Sequence, residues 1–244
     1  MGSIKKAFDL TGKSALITGG SRGLGLQIAE ALGEQGASII LSSRKAPDLE
    51  QAQKHLAGLG IKADWIAADN SREDDVKRLA DEAITKLGKV DILVNNAGAT
   101  RGGNFFELPD EAFIDGFALK YFAAVRLSRL FWPLLKAAHG SIINIIGAAA
   151  RTPGPDFLIG GSVNAAFANF AKGLATLGNR DDVNVNVIHP GMVETDRVVT
   201  LFQQFAKAQN KTPEQVREDI LKRTGTRRIG VPQDVAEDVD EALP

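Results

Sequence analysis

The residues of this sequence best placed to do chemistry form a glycine-rich turn. Thr18-Gly19-Gly20-Ser21-Arg22-Gly23-Leu24-Gly25 follows the short apolar run Ser14–Ile17 and opens onto an amphipathic stretch beginning near Leu24. Strand, glycine turn and helix in that order aim backbone N–H groups and a helix N-terminus at one point in space. Such a point suits a phosphate. A nucleotide site is therefore the first expectation. Metal or thiol chemistry is not expected. The chain has no cysteine and three histidines, of which only His189 ends a predicted strand. There it more simply orders the Pro190-Gly191 turn.

The elements that must hold this turn alternate between strand and helix. Strands are expected at 14–18, 37–42, 62–68, 89–94, 141–146 and 183–188. Helices are expected at 24–35, 48–59, 71–87, 109–136 and 162–177. Ser71 is a candidate cap, with Glu73, Asp74 and Asp75 favoured by the dipole of the first turn. Pro133 should kink or restart the long fourth helix. Continuous Val/Ile/Leu strands between helices predict an α/β fold, a doubly wound parallel sheet with helices on both faces. Ligands of such sheets bind beyond the carboxyl ends of the strands. Those ends are 18–25, 42–44, 69–70, 95–98, 147 onward and 189–195.

Bulk properties fit this picture. The 244 residues are 44% hydrophobic and carry a net charge of −1. That predicts a single domain spanning 1–244 and argues against nucleic acid or an anionic membrane as partner. The N-terminus lacks a signal-peptide core and no apolar run reaches membrane-spanning length, so a cytoplasmic location is the default expectation.

The spacing Thr-Gly-x-x-x-Gly-x-Gly, Asn95-Asn96-Ala97-Gly98 after the fourth strand and Pro190-Gly191 after the sixth together resemble the short-chain dehydrogenase/reductase family over residues 8–235. The resemblance implies a Rossmann-type fold and a nicotinamide dinucleotide. Gly19, Ser21, Gly23, Leu24 and Gly25 would cradle its pyrophosphate. Asp69 and Asn70 would lie by the adenine. Asn95, Ala97 and Gly98 would line the ribose side. Pro190, Gly191, Val193 and Thr195 would lie near the nicotinamide carboxamide. The residues themselves speak to NADP against NAD. The second strand ends in Ser42-Ser43-Arg44-Lys45, with no carboxylate before Asp48 to bind a ribose 2′-hydroxyl. Arg22 and Arg44 could instead clamp a 2′-phosphate.

At the reaction end the sequence departs from the family. The resemblance implies a catalytic Tyr and Lys four residues apart, a Ser after the fifth strand and an Asn on the preceding helix. By the surrounding pattern these positions hold Gly160, Asn164, Gly147 and Lys120. The only tyrosine, Tyr121, lies on another helix and points about 100° away from Lys120. Glycine at 147 and 160 is expected to open volume that Lys120 could enter as a relocated acid–base group. Asn164 is a second catalytic candidate. Asn144, Gly147, Arg151, Asp156, Gly160 and Ser162 are candidate substrate contacts, and no metal is expected. The expected function is an NADP(H)-binding oxidoreductase of carbonyl or alcohol substrates with non-standard acid–base residues. The alternative is a catalytically inactive NADP-binding sensor, scaffold or partner subunit.

Residues 195–225 are expected to form a helical substrate lid, with apolar positions Val198, Leu201, Phe202, Phe205, Val216, Ile220 and Leu221. The chain ends where the family continues into a seventh strand, so six strands are expected. The helices 112–135 and 162–177 are those through which the family dimerises. A homodimer or homotetramer is therefore expected alongside a small-molecule substrate.

Overall fold

The computed structural model describes residues 9–243, except for the side chains of Asp196, Arg197, Thr200, Leu201, Gln204, Phe205, Ala208 and Arg223. The expectations for Leu201 and Phe205 thus lie outside the described residues. Six parallel strands form one sheet: β1 (Ser14–Thr18), β2 (Ser38–Ser43), β3 (Ala63–Ala67), β4 (Ile92–Asn95), β5 (Ser141–Ile145) and β6 (Asn184–Ile188). Their order is β3-β2-β1-β4-β5-β6. The winding direction reverses between β1 and β4, so a crevice opens beyond the carboxyl ends of these two strands.

Side-chain alternation along the strands builds two cores. Ala15, Ile17, Ile39, Leu41 and Val94 face one side. They pack on α1 (Gly23–Glu34), α2 (Ala46–Gly58) and α9 (Pro232–Glu241). Leu16, Ile40, Leu93 and Ile142 face the other side and meet α3 (Glu73–Leu87) and α5 (Ala123–Ala138). Each fully buried side chain of this size stabilises the fold by about 1.5–3 kcal/mol. On the second face α6 (Leu158–Asp181) packs Phe167 and Ala171 against Ala124 of α5 and Ile146 at the end of β5. The Asp181 carboxylate joins the two helices by accepting from Trp132 Nε1 at 2.8 Å and Lys136 Nζ at 3.0 Å.

Three local expectations are corrected. Ser71 does not cap α3. Its hydroxyl donates to Asp69 Oδ1 at 2.7 Å, and Arg72 takes the cap position without a side-chain bond. Pro133 does not restart the fourth predicted helix, because α5 runs through it. The irregularity comes earlier: α4 (Asp110–Gly116) passes into a π-helical segment, Phe117–Phe122, before α5 begins. The helix expected at 162–177 begins at Leu158 and ends at Asp181.

After β6 a single bridge pairs Val193 with Gly230 in place of a further strand. Two helices, α7 (Asp196–Gln209) and α8 (Pro213–Thr224), close on each other through Phe202, Ala206, Val216 and Ile220. Then α9 returns to lie along α1. On α9, Asp240 is largely buried near Gln35, Glu34 and Glu237, and burial pushes its carboxyl up to about 6. Its Oδ1 has no hydrogen-bond partner among the described residues. A raised carboxyl pKa favours the fold fully below the ordinary range and loses that contribution as pH rises through about 6. Asp240→Asn is therefore expected to raise Tm at about pH 8 and to leave it nearly unchanged at about pH 4. Thermal unfolding at the two pH values checks this.

Candidate functional site

The carboxyl ends of β1, β2 and β4 are tied into one platform by polar residues. The Thr18 hydroxyl donates to the Val94 carbonyl at 3.2 Å and accepts the Asn96 and Ala97 amides, both at 3.0 Å. Asn96 Nδ2 donates to the carbonyls of Thr18 at 2.9 Å and Gly19 at 3.2 Å. The turn is thereby stitched to the end of β4. A Cβ on Gly25 would stand 2.3 Å from the Gly19 carbonyl oxygen, so the first turn of α1 can approach this closely only with glycine there. Gly23 adopts φ +58°, and a Cβ there would face only Thr195 Cγ2, at 3.7 Å. The chain after β6 is thus brought beside the glycine turn. This open, glycine-walled N-terminus of α1 fits a pyrophosphate.

Beside it lie the groups expected to read a ribose. The hydroxyls of Ser21 and Ser43 are 3.2 Å apart, and the Gly20 amide donates to the Ser42 carbonyl at 3.1 Å. Arg22 and Arg44 flank this pair and are both exposed. Asp69 accepts from the amide and hydroxyl of Ser71, and its own amide donates to Asp75 at 2.9 Å. That amide, then Arg78, holds the Asp75 carboxyl below the usual carboxylate range. Asn70 is buried with its Oδ1 unpartnered among the described residues.

Two expected contacts turn into the sheet instead. Asn95 Nδ2 donates to Asn144 Oδ1 at 2.9 Å, and Asn144 Nδ2 donates to the Asn186 carbonyl at 3.2 Å. Both asparagines are buried. Asn144 is therefore a cross-strand tie, not a substrate contact, and the Asn95 side chain serves the sheet.

At the ends of β5 and β6 lie the residues expected to serve a reaction. Lys120 sits in the π-helical segment, a distortion common at functional sites because it re-aims side chains. Its alkyl chain crosses Gly98, where a Cβ would stand 2.9 Å from Lys120 Cδ. Its ammonium donates to the Ile146 carbonyl at 2.5 Å. Gly147 follows at φ +108°, and a Cβ there would stand 3.1 Å from Asn164 Nδ2. Asn164 is 5% exposed, and its Oδ1 has no partner among the described residues. His189 lies 3.2 Å from the Gly147 carbonyl, and the Ala148 amide donates to Pro190, joining β5 to the Pro190-Gly191 turn. Val193 is buried in the core beside its bridge to Gly230, so it offers backbone rather than side chain.

The open volume expected at Gly160 and Gly147 is not there. The Phe157 ring lies on Gly160, and the Asn164 amide lies on Gly147. Ser162 is exposed on α6, two residues and about 200° from both Gly160 and Asn164, which removes it from the site. Arg151 and Asp156 are exposed as well. Tyr121 points away as expected, into an aromatic cluster with Phe117, Phe122 and Phe170. Thr18, Asn96 and Ser43 stand inside the motifs the sequence offers but carry no role of their own there, and Phe157 stands in none of them. Asn96 was legible as a polar residue at a strand end. Phe157 was legible only as an aromatic three residues before a helical glycine, a spacing that puts neighbours on one face.

Among the described residues there is no cluster of His, Asp and Glu able to hold a metal, and no helix long and apolar enough to cross a membrane. The short chain dehydrogenase family profile matches residues 13–206. The 7alpha-hydroxysteroid dehydrogenase of Escherichia coli K12 is 34% identical over 228 residues, which cover 93% of this chain and 85% of that one. The L-sorbose reductase of Gluconobacter frateurii, solved with NADPH and L-sorbose, superposes with a TM-score of 0.89 at 30% identity, covering 95% of this chain and 90% of that one. A 7alpha-hydroxysteroid dehydrogenase solved with NADH and 7-oxo glycochenodeoxycholic acid gives 0.83 at 33% identity, covering 94% and 86%. Glycine turn, strand order and sequence relationship lead to one conclusion: this chain belongs to the short-chain dehydrogenase family.

Proposed function

We propose that this protein is an NADP(H)-dependent oxidoreductase of a carbonyl or alcohol substrate, in which Lys120 moves the proton. The observation that carries this reading is the Lys120 ammonium, 2.5 Å from the Ile146 carbonyl and next to Gly147. On the flanking pattern, Gly160 and Asn164 hold the places of the family tyrosine and lysine, Gly147 that of its serine, and Lys120 that of its asparagine. Lysine and asparagine have thereby exchanged helices. Both still reach the end of β5, Lys120 from the π-helical segment and Asn164 from α6. The cationic group is kept but arrives from the other side.

Gly19, Ser21, Gly23, Leu24 and Gly25 would hold the pyrophosphate. Asp69, Asn70, Ala97 and Gly98 would line the adenine and ribose side. Pro190, Gly191, Val193 and Thr195 would flank the carboxamide. Arg22 and Arg44, with the Ser21 and Ser43 hydroxyls, form the proposed 2′-phosphate clamp, which favours NADP over NAD. Bound there, the dinucleotide supplies or accepts the hydride. In the reductive direction Lys120 Nζ gives its proton to the substrate oxygen as the carbonyl carbon gains hydride, and the neutral amine is reprotonated from solvent. The buried Asn164 Oδ1 accepts from a ribose or substrate hydroxyl, because an acceptor left alone in such a place costs about 1–3 kcal/mol.

The residues around α7 and α8 form the proposed substrate lid. A shallow groove of about 600 Å³ along α6, lined by Tyr121, Asn169, Phe170, Gly173, Leu174 and Leu177, supports a homodimer or homotetramer through the helices at 112–135 and 162–177. The second reading, an NADP-binding protein without redox activity, is favoured by the Phe157 ring on Gly160. NADPH oxidation over a panel of ketones and aldehydes decides between them. Turnover is expected. Tight NADPH binding with no turnover across the panel would leave the sensor or scaffold reading.

A further inference from the structure

One glycine, Gly160, makes room for an aromatic ring at this site, and two more hold the segment that carries it. A Cβ on Gly160 would stand 2.0 Å from Phe157 Cε1 and 2.1 Å from Cζ. No rotation of a residue at 160 avoids this, since the Cβ position is set by the backbone. On its other side the segment meets Gly102, where a Cβ would stand 2.9 Å from the Asp156 carbonyl and 3.6 Å from Phe157 Cδ2. The Gly103 amide donates to the same Asp156 carbonyl at 2.9 Å. The loop after β4 is thus pinned to the loop before α6, with the ring between them. Phe157 is only half-buried, while Gly160 beneath it is buried. The ring is therefore a wall of the site rather than core packing. Gly160, under the ring, and Asn164, whose amide is buried, lie one turn apart on the same face of α6.

We propose that Phe157 is the specificity-determining residue of this site, selecting carbonyl substrates that carry an aromatic ring next to the reacting carbon. This rests on the proposed function, in which Gly160 holds the place of the family tyrosine. Phe157 occupies the space in which the family phenol would stand, and a phenol wall that donates a hydrogen bond becomes an apolar wall that cannot. Polar contact with the substrate is left to Lys120 and Asn164, on the β5 side. The Phe157 face offers only ring packing, which favours an aromatic neighbour.

The test uses acetophenone and butanone as probes, with the full chain saturated with NADPH. Ligand-observed NMR reports each Kd whether or not turnover occurs. Wild-type protein is expected to prefer acetophenone, and Phe157→Ala to lose about tenfold of that preference. NADPH affinity, by fluorescence titration, is expected to stay within about twofold because Phe157 lies outside the glycine turn. A preference ratio unchanged in Phe157→Ala, or no acetophenone binding to wild type, overturns the inference and leaves the dinucleotide reading standing. Failure of wild type to bind NADPH overturns the dinucleotide reading itself. Ring placement is tested separately by stability. Gly160→Ala is expected to lower Tm by several degrees, and adding Phe157→Ala to restore most of it. Equal, additive losses would show that the ring does not lie on Gly160.

Discussion

Lys120→Met is expected to lower kcat for carbonyl reduction by about a hundredfold or more, the usual contribution of a positioned proton donor. Methionine keeps the unbranched stem that crosses Gly98 and removes only the ammonium. The lost bond leaves the carbonyl of the buried Ile146 without this donor, a cost of about 1–3 kcal/mol. Tm is therefore expected to fall as well, and rates are compared at a temperature where both proteins are folded. NADPH affinity, measured by fluorescence titration, should stay within about twofold. The pH profile separates catalysis from support. If Nζ moves the proton, the limb of kcat/KM that reports its titration disappears in Lys120→Met, and Lys120→Arg does not restore the rate, because guanidinium does not exchange its proton in this range. A variant with wild-type kcat, or one whose loss is wholly in Tm, would make Lys120 a structural tie and return the site to the inactive reading.

The second large effect concerns which dinucleotide is bound. Replacing both Arg22 and Arg44 by Ala is expected to weaken NADPH binding by about a hundredfold and leave NADH binding nearly unchanged. A charge-assisted hydrogen bond contributes about 1.5–3 kcal/mol, and 1.4 kcal/mol is about tenfold in Kd. Both guanidinium groups are exposed, so the lower end of that range applies to each. The Ser21 and Ser43 hydroxyls, 3.2 Å apart, remain in the double variant and keep some preference for the 2′-phosphate. Titration with both dinucleotides at low and high salt checks the assignment. The difference between them should shrink as salt screens the clamp. Equal loss for NADH and NADPH would move both arginines away from the 2′-position and onto the shared pyrophosphate.

Much of the dinucleotide half of the site is legible in the amino-acid sequence. Gly19, Gly23 and Gly25 announce a close approach of strand end to helix start, and that approach is what the Gly25–Gly19 contact shows. The continuous apolar run Ala15-Leu16-Ile17 likewise announces a strand buried on both faces. The errors fell where a local preference met a competing partner. Ser71 was a sound cap by type, but Asp69 took its hydroxyl. Pro133 was a sound helix breaker, yet α5 carries it without restarting. Asn144 looked like a polar residue offered to substrate because the sequence does not show that Asn95 and Asn186 lie on either side of it.

The sequence alone determined the strand–turn–helix order, the six-strand parallel sheet and the close approach of the glycine turn to the start of α1. Each of these depends on residue type and spacing along a few neighbouring positions. Tertiary structure decided which residues meet across the crevice. It brought Thr195 to Gly23 and aimed Lys120 from a π-helical turn at the Ile146 carbonyl. It also laid Phe157 on Gly160, in space that glycine had been expected to leave open. A missing side chain says only that room exists beside one backbone position. What enters that room is settled by the packing of the other elements, and no local pattern in the chain records it.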